Sequence, residues 1–167
     1  NEVKKISIVP KPFQKPHPPI WMAAGHSDSI KTVAQQNCNL LLDQFSPVST
    51  VMERVKIFND ELNSIGIKNK PQIALARAMY IAKDEKEKDE IIHKRLKARE
   101  NVDKLSQRPD GNNKSSIMVH KGTDEAYNGA LIGTKEEIID RLYELRDGGI
   151  NYIPVSYTHL TLPTIGE

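Results

Sequence analysis

Short apolar runs alternate with amphipathic segments along this chain, and that order restricts its fold more than any other feature. Each run is apolar almost throughout and is bounded by Gly, Pro or polar residues, as strands buried on both faces are. The predicted strands lie at 19–25, 39–45, 72–82 and 150–153. The predicted helices lie at 26–37, 46–65, 85–105 and 134–147. Such alternation predicts right-handed crossovers between parallel strands, and therefore an α/β fold.

Capping residues mark the predicted helix starts, because their side-chain oxygens accept from free backbone N–H groups of the first turn. The predicted caps are Ser27 or Asp28, then Ser46 followed by Pro47, and two capping boxes, Asp84 with Glu87 and Thr134 with Glu137. Glycines at 66 and 148–149 are typical of helix ends. The stretch 117–133 fits neither period, and we interpret it as a mobile excursion.

Two architectures accommodate these strands, a doubly wound sheet and a (β/α) barrel. A barrel closes with eight strands, so four supply about half of one. Open sheet edges expose unpaired backbone and apolar surface. In the barrel case, the 167 residues alone are therefore expected to be unfolded, aggregated or oligomeric.

The charge balance argues against nucleic-acid and membrane partners. Lys and Arg number 24 and Asp and Glu 22, so the formal net charge is +2, too small for a nucleic-acid footprint. No apolar stretch reaches the ~20 residues of a membrane span. The one cysteine, Cys38, cannot form an internal disulfide and fits a reducing compartment. We expect a cytoplasmic protein and a buried, inert thiol.

Two stretches carry a resemblance to a known family. The first, "PKPFQKPHPPIWMAAGHSDSIKTVAQQN" (10–37), resembles the luciferase-like flavin-dependent monooxygenases in its proline-rich entry to an apolar strand and a helix that begins with Ser or Asp. The second, "ALIGTKEEIIDRLYELRDGGINYI" (130–153), is similar to that family's closing helix and last strand. The resemblance implies a (β/α)8 TIM barrel in which residues 1–153 form the C-terminal half, strands five to eight, with an insertion at 84–133.

The same resemblance implies an activity. Reduced FMN, supplied with NAD(P)H by a possible flavin reductase, would be used with O2 to oxidise a small organic substrate in a bacterial homo- or heterodimer. Two alternatives stay open. One is hydride transfer with a deazaflavin cofactor in the same superfamily. The other is a non-catalytic binding module that uses the long helix at 85–105, although its mixed charges favour a solvated helix face.

The turn "AAGHSDS" (23–29) is the best candidate for a binding site. A turn between a buried strand and a helix presents free N–H groups and the positive end of the helix dipole, which suit a phosphate. Spacing alone favours Ser27 and Ser29 as simple helix caps. The resemblance implies instead that Ala24, Gly25, His26, Ser27 and Ser29 hold the FMN phosphate, although the family commonly has a small residue at His26.

Other candidates are weaker. Trp21 and Met22 fit a barrel core or a flavin wall, and Asp43 and Gln44 end a strand at the face where barrel active sites lie. Arg77, inside an apolar strand, is either paired or an anion holder, and Tyr80 either packs or faces flavin. The histidines do not have the spacing of metal ligands; they are His17, His26, His93, His120 and His159. We identify no catalytic base.

The last fourteen residues, 154–167, differ in character from the rest. The stretch "VSYTHLTLPT" (155–164) lacks apolar periodicity. It resembles the in-frame translation of a transposase-type sequencing-library adapter, GTC TCT TAT ACA CAT CTG ACG CTG CCG ACG. We therefore interpret 154–167 as a non-native tail, and leave its residues out of the candidate site.

Overall fold

The computed structural model describes residues 9–11, 13–15, 17–106 and 127–156. Within these ranges the chain forms six strands and four helices. The strands are β1 (Trp21–Ala23), β2 (Asn39–Leu42), β3 (Ile73–Leu75), β4 (Arg77–Ile81), β5 (Leu131–Gly133) and β6 (Val155–Ser156). The helices are α1 (Ser27–Gln35), α2 (Val48–Ser64), α3 (Glu85–Ser106) and α4 (Lys135–Asp147). The architecture is α/β, as predicted.

All strand pairs in the described residues are parallel, and they form two three-stranded sheets, with orders β1-β2-β3 and β5-β4-β6. The predicted strand 72–82 is divided at Ala76 between the two sheets. Its hydrogen bonds nevertheless continue across the division, because Leu75 N donates to Tyr152 O at 2.9 Å and Arg77 N donates to Pro154 O at 3.0 Å.

The last predicted strand, 150–153, is wrong in its position. Pairing there consists of a single bridge between Ala74 and Tyr152, and the ladder resumes at β6. Pro154 lies between them and has no N–H to donate, which interrupts a regular strand. Both residues of β6 are exposed, and their pairing uses backbone atoms, so it is independent of the origin of residues 154–167. The predicted non-native tail stays a prediction, and 157–167 lie outside the described residues.

The region interpreted as an excursion contains a strand that the sequence reading missed. β5 is fully buried and pairs with β4 from Met79–Leu131 to Ile81–Gly133. The first part of this region, 117–126, lies outside the described residues. The missed signal was the apolar run "ALIG" directly before the Thr134 cap.

Two of the predicted helix caps are wrong. α1 begins one residue earlier than a Ser27 cap would allow, with His26 at the N-cap position and no capping hydrogen bond from its side chain. α2 has Pro47 at its N-cap position, because Ser46 is engaged by an aspartate that precedes it. At α4 the predicted capping box of Thr134 and Glu137 is confirmed.

At the start of α3, one of the two hydrogen bonds of the predicted capping box is present. Asp84 Oδ1 accepts from Glu87 N at 2.8 Å, as predicted. Glu87 Oε2 accepts from Lys83 N at 2.9 Å, one residue before the position that the box requires. α3 therefore begins where the sequence places it, but with a different return contact.

The core lies between β2, β3 and the helices on one side of the first sheet. Its fully buried members come from both strands and helices, and they include Ile30, Leu40, Leu42, Val51, Phe58, Leu62, Leu75 and Leu145. The opposite face is less covered. Trp21 is 39% exposed and Tyr152 is 50% exposed, and their rings meet edge to face with centroids 5.7 Å apart. This packing directs the carboxyl ends of β1, β2 and β3 toward one open edge.

Candidate functional site

A cavity of about 440 Å³ lies at the carboxyl ends of β1, β2 and β3. This is the edge at which parallel α/β folds carry their sites. Its lining residues come from the turns that follow those strands and from α2; they are Ala23, Ala24, Gly25, Leu41, Leu42, Asp43, Gln44, Phe45, Ser46, Arg54 and Ala76. The walls are mostly apolar, and the polar side chains are concentrated after β2.

The turn from β1 to α1 leaves several hydrogen-bond donors open. The first helical hydrogen bond of α1 runs from Ile30 N to His26 O at 3.0 Å, so the N–H groups of Ser27, Asp28 and Ser29 precede the helical ladder. Within the described residues, the hydroxyls of Ser27 and Ser29 make no hydrogen bond. The side chain of the N-cap residue, His26, makes no capping hydrogen bond. These groups are available to a ligand.

The other predicted residues of this turn differ in what they can offer. Ala24 lines the cavity, but its N–H donates to Leu41 O at 3.2 Å and is therefore occupied. Gly25 lines the cavity, and a Cβ built on it would meet no backbone. The His26 side chain is 76% exposed, and its Nδ1 lies 3.8 Å from Asp28 Oδ2. Its ring therefore faces solvent and is not part of the cavity wall.

The turn after β2 has the opposite character, because Asp43 satisfies its donors. Asp43 Oδ1 accepts from Phe45 N at 2.7 Å and from Ser46 N at 2.8 Å. Asp43 Oδ2 accepts from Ser46 Oγ at 2.8 Å and from Arg54 Nη1. Arg54 Nη1 also donates to Ser46 Oγ at 2.8 Å. We refer to Asp43, Ser46, Arg54 and Arg77 as the Asp43 cluster.

The carboxylate of this cluster is held in its charged form. Burial by itself raises the pKa of Asp43, but hydrogen bonds from Phe45, Ser46 and Arg54 outweigh burial and bring the pKa below its ordinary value. A carboxylate that accepts several such bonds stays ionised at neutral pH. Asp43 is therefore a fixed acceptor and is poorly suited to take up a proton.

Arg77 is paired, which was the favoured of its two predicted interpretations. Its side chain is 1% exposed, and Nη2 donates to Ser46 O at 2.8 Å. Nη1 donates to Asp43 O at 3.1 Å and to Ala76 O at 3.2 Å. Burial lowers the pKa of Arg77 to about 10, and Asp43 partly offsets that effect. The guanidinium is still charged at neutral pH, and it holds the loop after β2 against β4.

Arg54 is the cavity residue that the sequence reading missed. It lies on α2 next to the apolar stripe of Val51, Val55 and Phe58, and its side chain is 14% exposed. A Cβ built on Gly25 would lie 3.5 Å from Arg54 Nη2. The available signal was an arginine bordering the buried stripe of a helix that follows a strand ending in aspartate.

Of the remaining candidate residues, one lines the cavity and the others pack against apolar or aromatic side chains. Gln44 lines the cavity, whereas Met22 packs against the main core and Trp21 packs edge to face against Tyr152. Tyr80 packs in a second apolar cluster beside β5 and is hydrogen-bonded to Arg95. Among the described residues, no group of three His, Cys, Asp or Glu side chains is placed to hold a metal ion. None of the described helices is both long and apolar enough to span a membrane.

Comparison with known proteins decides the family. The sequence profile of the luciferase-like monooxygenases matches residues 2–152. The chain belongs to the luciferase-like monooxygenase family. The resemblance read from the sequence is therefore confirmed.

A curated relative is similar to part of the chain. The oxygenase component of a flavin-dependent trigonelline monooxygenase from Acinetobacter baylyi (strain ATCC 33305 / BD413 / ADP1) is 33% identical over 87 residues. The match covers 50% of this chain and 23% of the relative. The matched segment thus spans under a quarter of that protein's length.

Solved structures share the fold. A monooxygenase from Streptomyces bottropensis matches with a TM-score of 0.60 at 23% identity, over 89% of this chain and 43% of that one. An F420-dependent secondary alcohol dehydrogenase in complex with an F420–acetone adduct matches with a TM-score of 0.61 at 16% identity, over 83% and 43%. The oxygenating constituent of 3,6-diketocamphane monooxygenase from Pseudomonas putida, in complex with FMN, matches at 0.56 and 14%, over 84% and 42%. The chain spans less than half of each.

Proposed function

We propose that this chain forms the phosphate-binding part of a luciferase-like monooxygenase that uses reduced FMN and O2 to oxidise a small organic substrate. The observation that carries the proposal is the open start of α1 beside the cavity at the carboxyl ends of β1, β2 and β3. The family provides the reaction class, and the turn provides a site of the right chemistry. The flavin-dependent relative and the FMN-bound neighbour support a flavin cofactor.

The donors of the turn fit a phosphate ester. The N–H groups of Gly25 and His26, the hydroxyls of Ser27 and Ser29, and the first-turn N–H groups of α1 form a set of donors with few acceptors. The positive end of the helix dipole favours an anion at the same place. The Asp28 carboxylate is 85% exposed, so water screens most of its repulsion. Of the five residues predicted for this site, Ala24 contributes wall surface alone.

Each part of the site then has a separate task. The bound flavin, when reduced, supplies the electrons for reaction with O2. The chain's residues bind its phosphate at the start of α1, and the apolar wall of Ala23, Leu41 and Ala76 excludes water from the neighbouring space. We assign no catalytic acid or base to the described residues. The family relative is an oxygenase component, which supports a separate reductase as the source of reduced flavin.

We also propose that the two parallel sheets belong to one TIM barrel, with strands five to eight drawn from residues 1–153 and the eighth continuing from the bridge at Tyr152 into β6. The continuous pairing across Ala76 and the exposed Trp21 and Tyr152 support this arrangement, because the inner face of such a barrel would cover both rings. The experiments below therefore use the complete gene product that carries these residues.

Uptake of FMN tests the proposal. The purified protein should become yellow with FMN, and a Ser27→Ala/Ser29→Ala variant should bind it roughly 10-fold more weakly, the effect of losing two hydroxyl contacts. Ser64→Ala is the matched control, because that hydroxyl donates to Glu61 O at the far end of α2. A colourless protein that takes up no added flavin would refute the proposal.

Hydride transfer with a deazaflavin is a second candidate, favoured by the fold similarity to the F420-dependent dehydrogenase. Parallel titrations with FMN and F420 separate the two. Tighter binding of FMN, with NAD(P)H-dependent O2 consumption when a reductase is added, supports the monooxygenase. Tighter binding of F420 and reduction of a carbonyl without O2 consumption would favour the dehydrogenase reaction instead.

A further inference from the structure

We propose that Arg54 is a specificity-determining residue, which makes the cavity select a phosphorylated cofactor over the same ring system without phosphate. The inference rests on the proposed function, since it assigns a new contact to the ligand bound at the start of α1. In the proposed complex, Arg54 Nη1 anchors the side chain and Arg54 Nη2 donates to a phosphate oxygen.

The anchoring is visible in the hydrogen bonds. Arg54 Nη1 donates to Asp43 Oδ2 and to Ser46 Oγ, so one arm of the guanidinium is held by the turn after β2. Burial restricts the rest of the side chain, which is 14% exposed. The guanidinium is thus oriented before any ligand arrives, and little side-chain entropy is lost on binding.

The second arm points toward the neighbouring turn. Nη2 lies 3.5 Å from the place that a Cβ would take at Gly25, and no hydrogen bond of Nη2 occurs within the described residues. A side chain at Gly25 would therefore lie in ordinary contact with this arm of Arg54. The missing side chain of Gly25 leaves Arg54 Nη2 open beside the turn that leads into α1.

The charges of the cluster favour an anion at this position. The Asp43 cluster contains two guanidinium groups and one carboxylate, so it has a net charge of +1. Arg77 is directed at backbone carbonyls, which leaves Arg54 as the cation beside the cavity. A guanidinium N–H binds a phosphate oxygen with a strong, charge-assisted hydrogen bond, and a partly buried pair is weakly screened.

The test measures dissociation constants for FMN and for riboflavin, which has the same ring and lacks the phosphate. Arg54→Gln should raise the dissociation constant of FMN on the order of 10- to 100-fold, as expected for a lost charge-assisted contact. It should leave that of riboflavin within about 2-fold. Lys56→Gln is the matched control. It removes a charge of the same sign from α2, but that side chain is exposed and paired with Asp60.

Two further variants keep the test decisive if Arg54→Gln is unstable. Arg54→Lys retains the charge, but a single ammonium cannot hold Asp43 and reach Gly25 together, so we expect an intermediate loss that is specific to FMN. Gly25→Ala inserts a methyl group in ordinary contact with Arg54 and should also weaken FMN selectively. Equal weakening of FMN and riboflavin, or no weakening of either, would overturn the inference.

The binding measurements also distinguish a failure of the inference about Arg54 from a failure of the proposed function on which it rests. If the unmodified protein binds neither flavin, the proposed function fails. If it binds FMN and Arg54→Gln binds FMN equally well, the function stands and the role of Arg54 is refuted. A change confined to the Michaelis constant of an anionic substrate would place Arg54 on the substrate and would also overturn the inference. F420, a phosphodiester, should respond to Arg54→Gln less than FMN.

Discussion

Helices α1 and α4 begin in opposite ways, although each follows a parallel strand within a few residues. At α4, Thr134 Oγ1 accepts from Glu137 N at 3.3 Å and Glu137 Oε2 accepts from Thr134 N at 2.8 Å. At α1, the N-cap side chain of His26 makes no capping bond. A start closed by its own side chains gains stability and has fewer donors for a ligand. The open start forgoes that stability and keeps its donors available.

The turn after β2 is a second closed turn, because the Asp43 carboxylate accepts hydrogen bonds from its donors. Asp43 engages two N–H groups, one hydroxyl and one guanidinium. It lines the same cavity as Ala24 and Gly25, which directly precede the open start of α1. One open turn and one closed turn therefore lie next to each other at one edge of the sheet, and the closed turn holds Arg54 toward the open one.

The largest effect is expected at Asp43. Asp43→Ala leaves Arg54 and two N–H groups without their acceptor and should lower the free energy of unfolding by about 2–3 kcal/mol. Urea denaturation of the complete gene product measures it. Asp60→Ala is the control, since it breaks an exposed pair with Lys56 and should cost less than about 0.5 kcal/mol. Equal losses at the two positions would mean that the turn after β2 is not held by its carboxylate.

The same carboxylate predicts a pH dependence. The folded pKa of Asp43 lies below its ordinary value of 3.8, so the group adds stability above about pH 4, which is lost as the pH falls through the folded pKa. Below that point both states are protonated and the contribution is gone. Asp43→Asn should therefore lose less stability than the unmodified protein on acidification from neutral pH to about pH 3. Parallel acid-dependence curves for the two proteins would contradict the assigned role.

The next effect is expected at the closed start of α4. Thr134→Ala removes the N-cap acceptor and should lower the free energy of unfolding by about 1 kcal/mol. Thr134→Ser keeps the hydroxyl and should restore most of that loss. Neither change should alter flavin affinity, because α4 begins outside the cavity. A change in FMN affinity comparable to that at Ser27 and Ser29 would remove the functional distinction between the two helix starts.

The two helix starts also show how far the sequence alone could lead. The capping box at Thr134 and Glu137 is a local signal, so it was predicted in full. The alternation of β1, α1, β2 and α2 and the turn at 23–29 followed from apolar patterning and from glycine and serine placement. The N-cap at His26 was missed, because Ser27 and Asp28 are better capping residues in isolation. The position of the cap was decided by how β1 and α1 pack on β2.

The Asp43 cluster could not be predicted from local sequence patterns, because its members are far apart in the chain. Arg77 bonds Ser46 across 31 residues, and the proximity of Arg54 to Gly25 depends on two separate crossovers. Composition and periodicity could place each residue on a strand end or a helix face. They could not bring those places together, and the same holds for β5, whose pairing with β4 spans about fifty residues.

The smallest effect on stability is expected at His26. Variants at this position also test most directly whether the open start of α1 binds the phosphate. His26→Asp supplies a good N-cap to an open helix start and should raise the free energy of unfolding by about 0.5 kcal/mol. The new carboxylate would accept from the N–H of Asp28 or Ser29 and add negative charge at the same place. FMN affinity should therefore fall while stability rises. His26→Asn caps without charge and should show a smaller loss of affinity, which separates donor occupation from repulsion. If both variants stabilise the protein and leave FMN affinity unchanged, the open donors of α1 do not bind the phosphate.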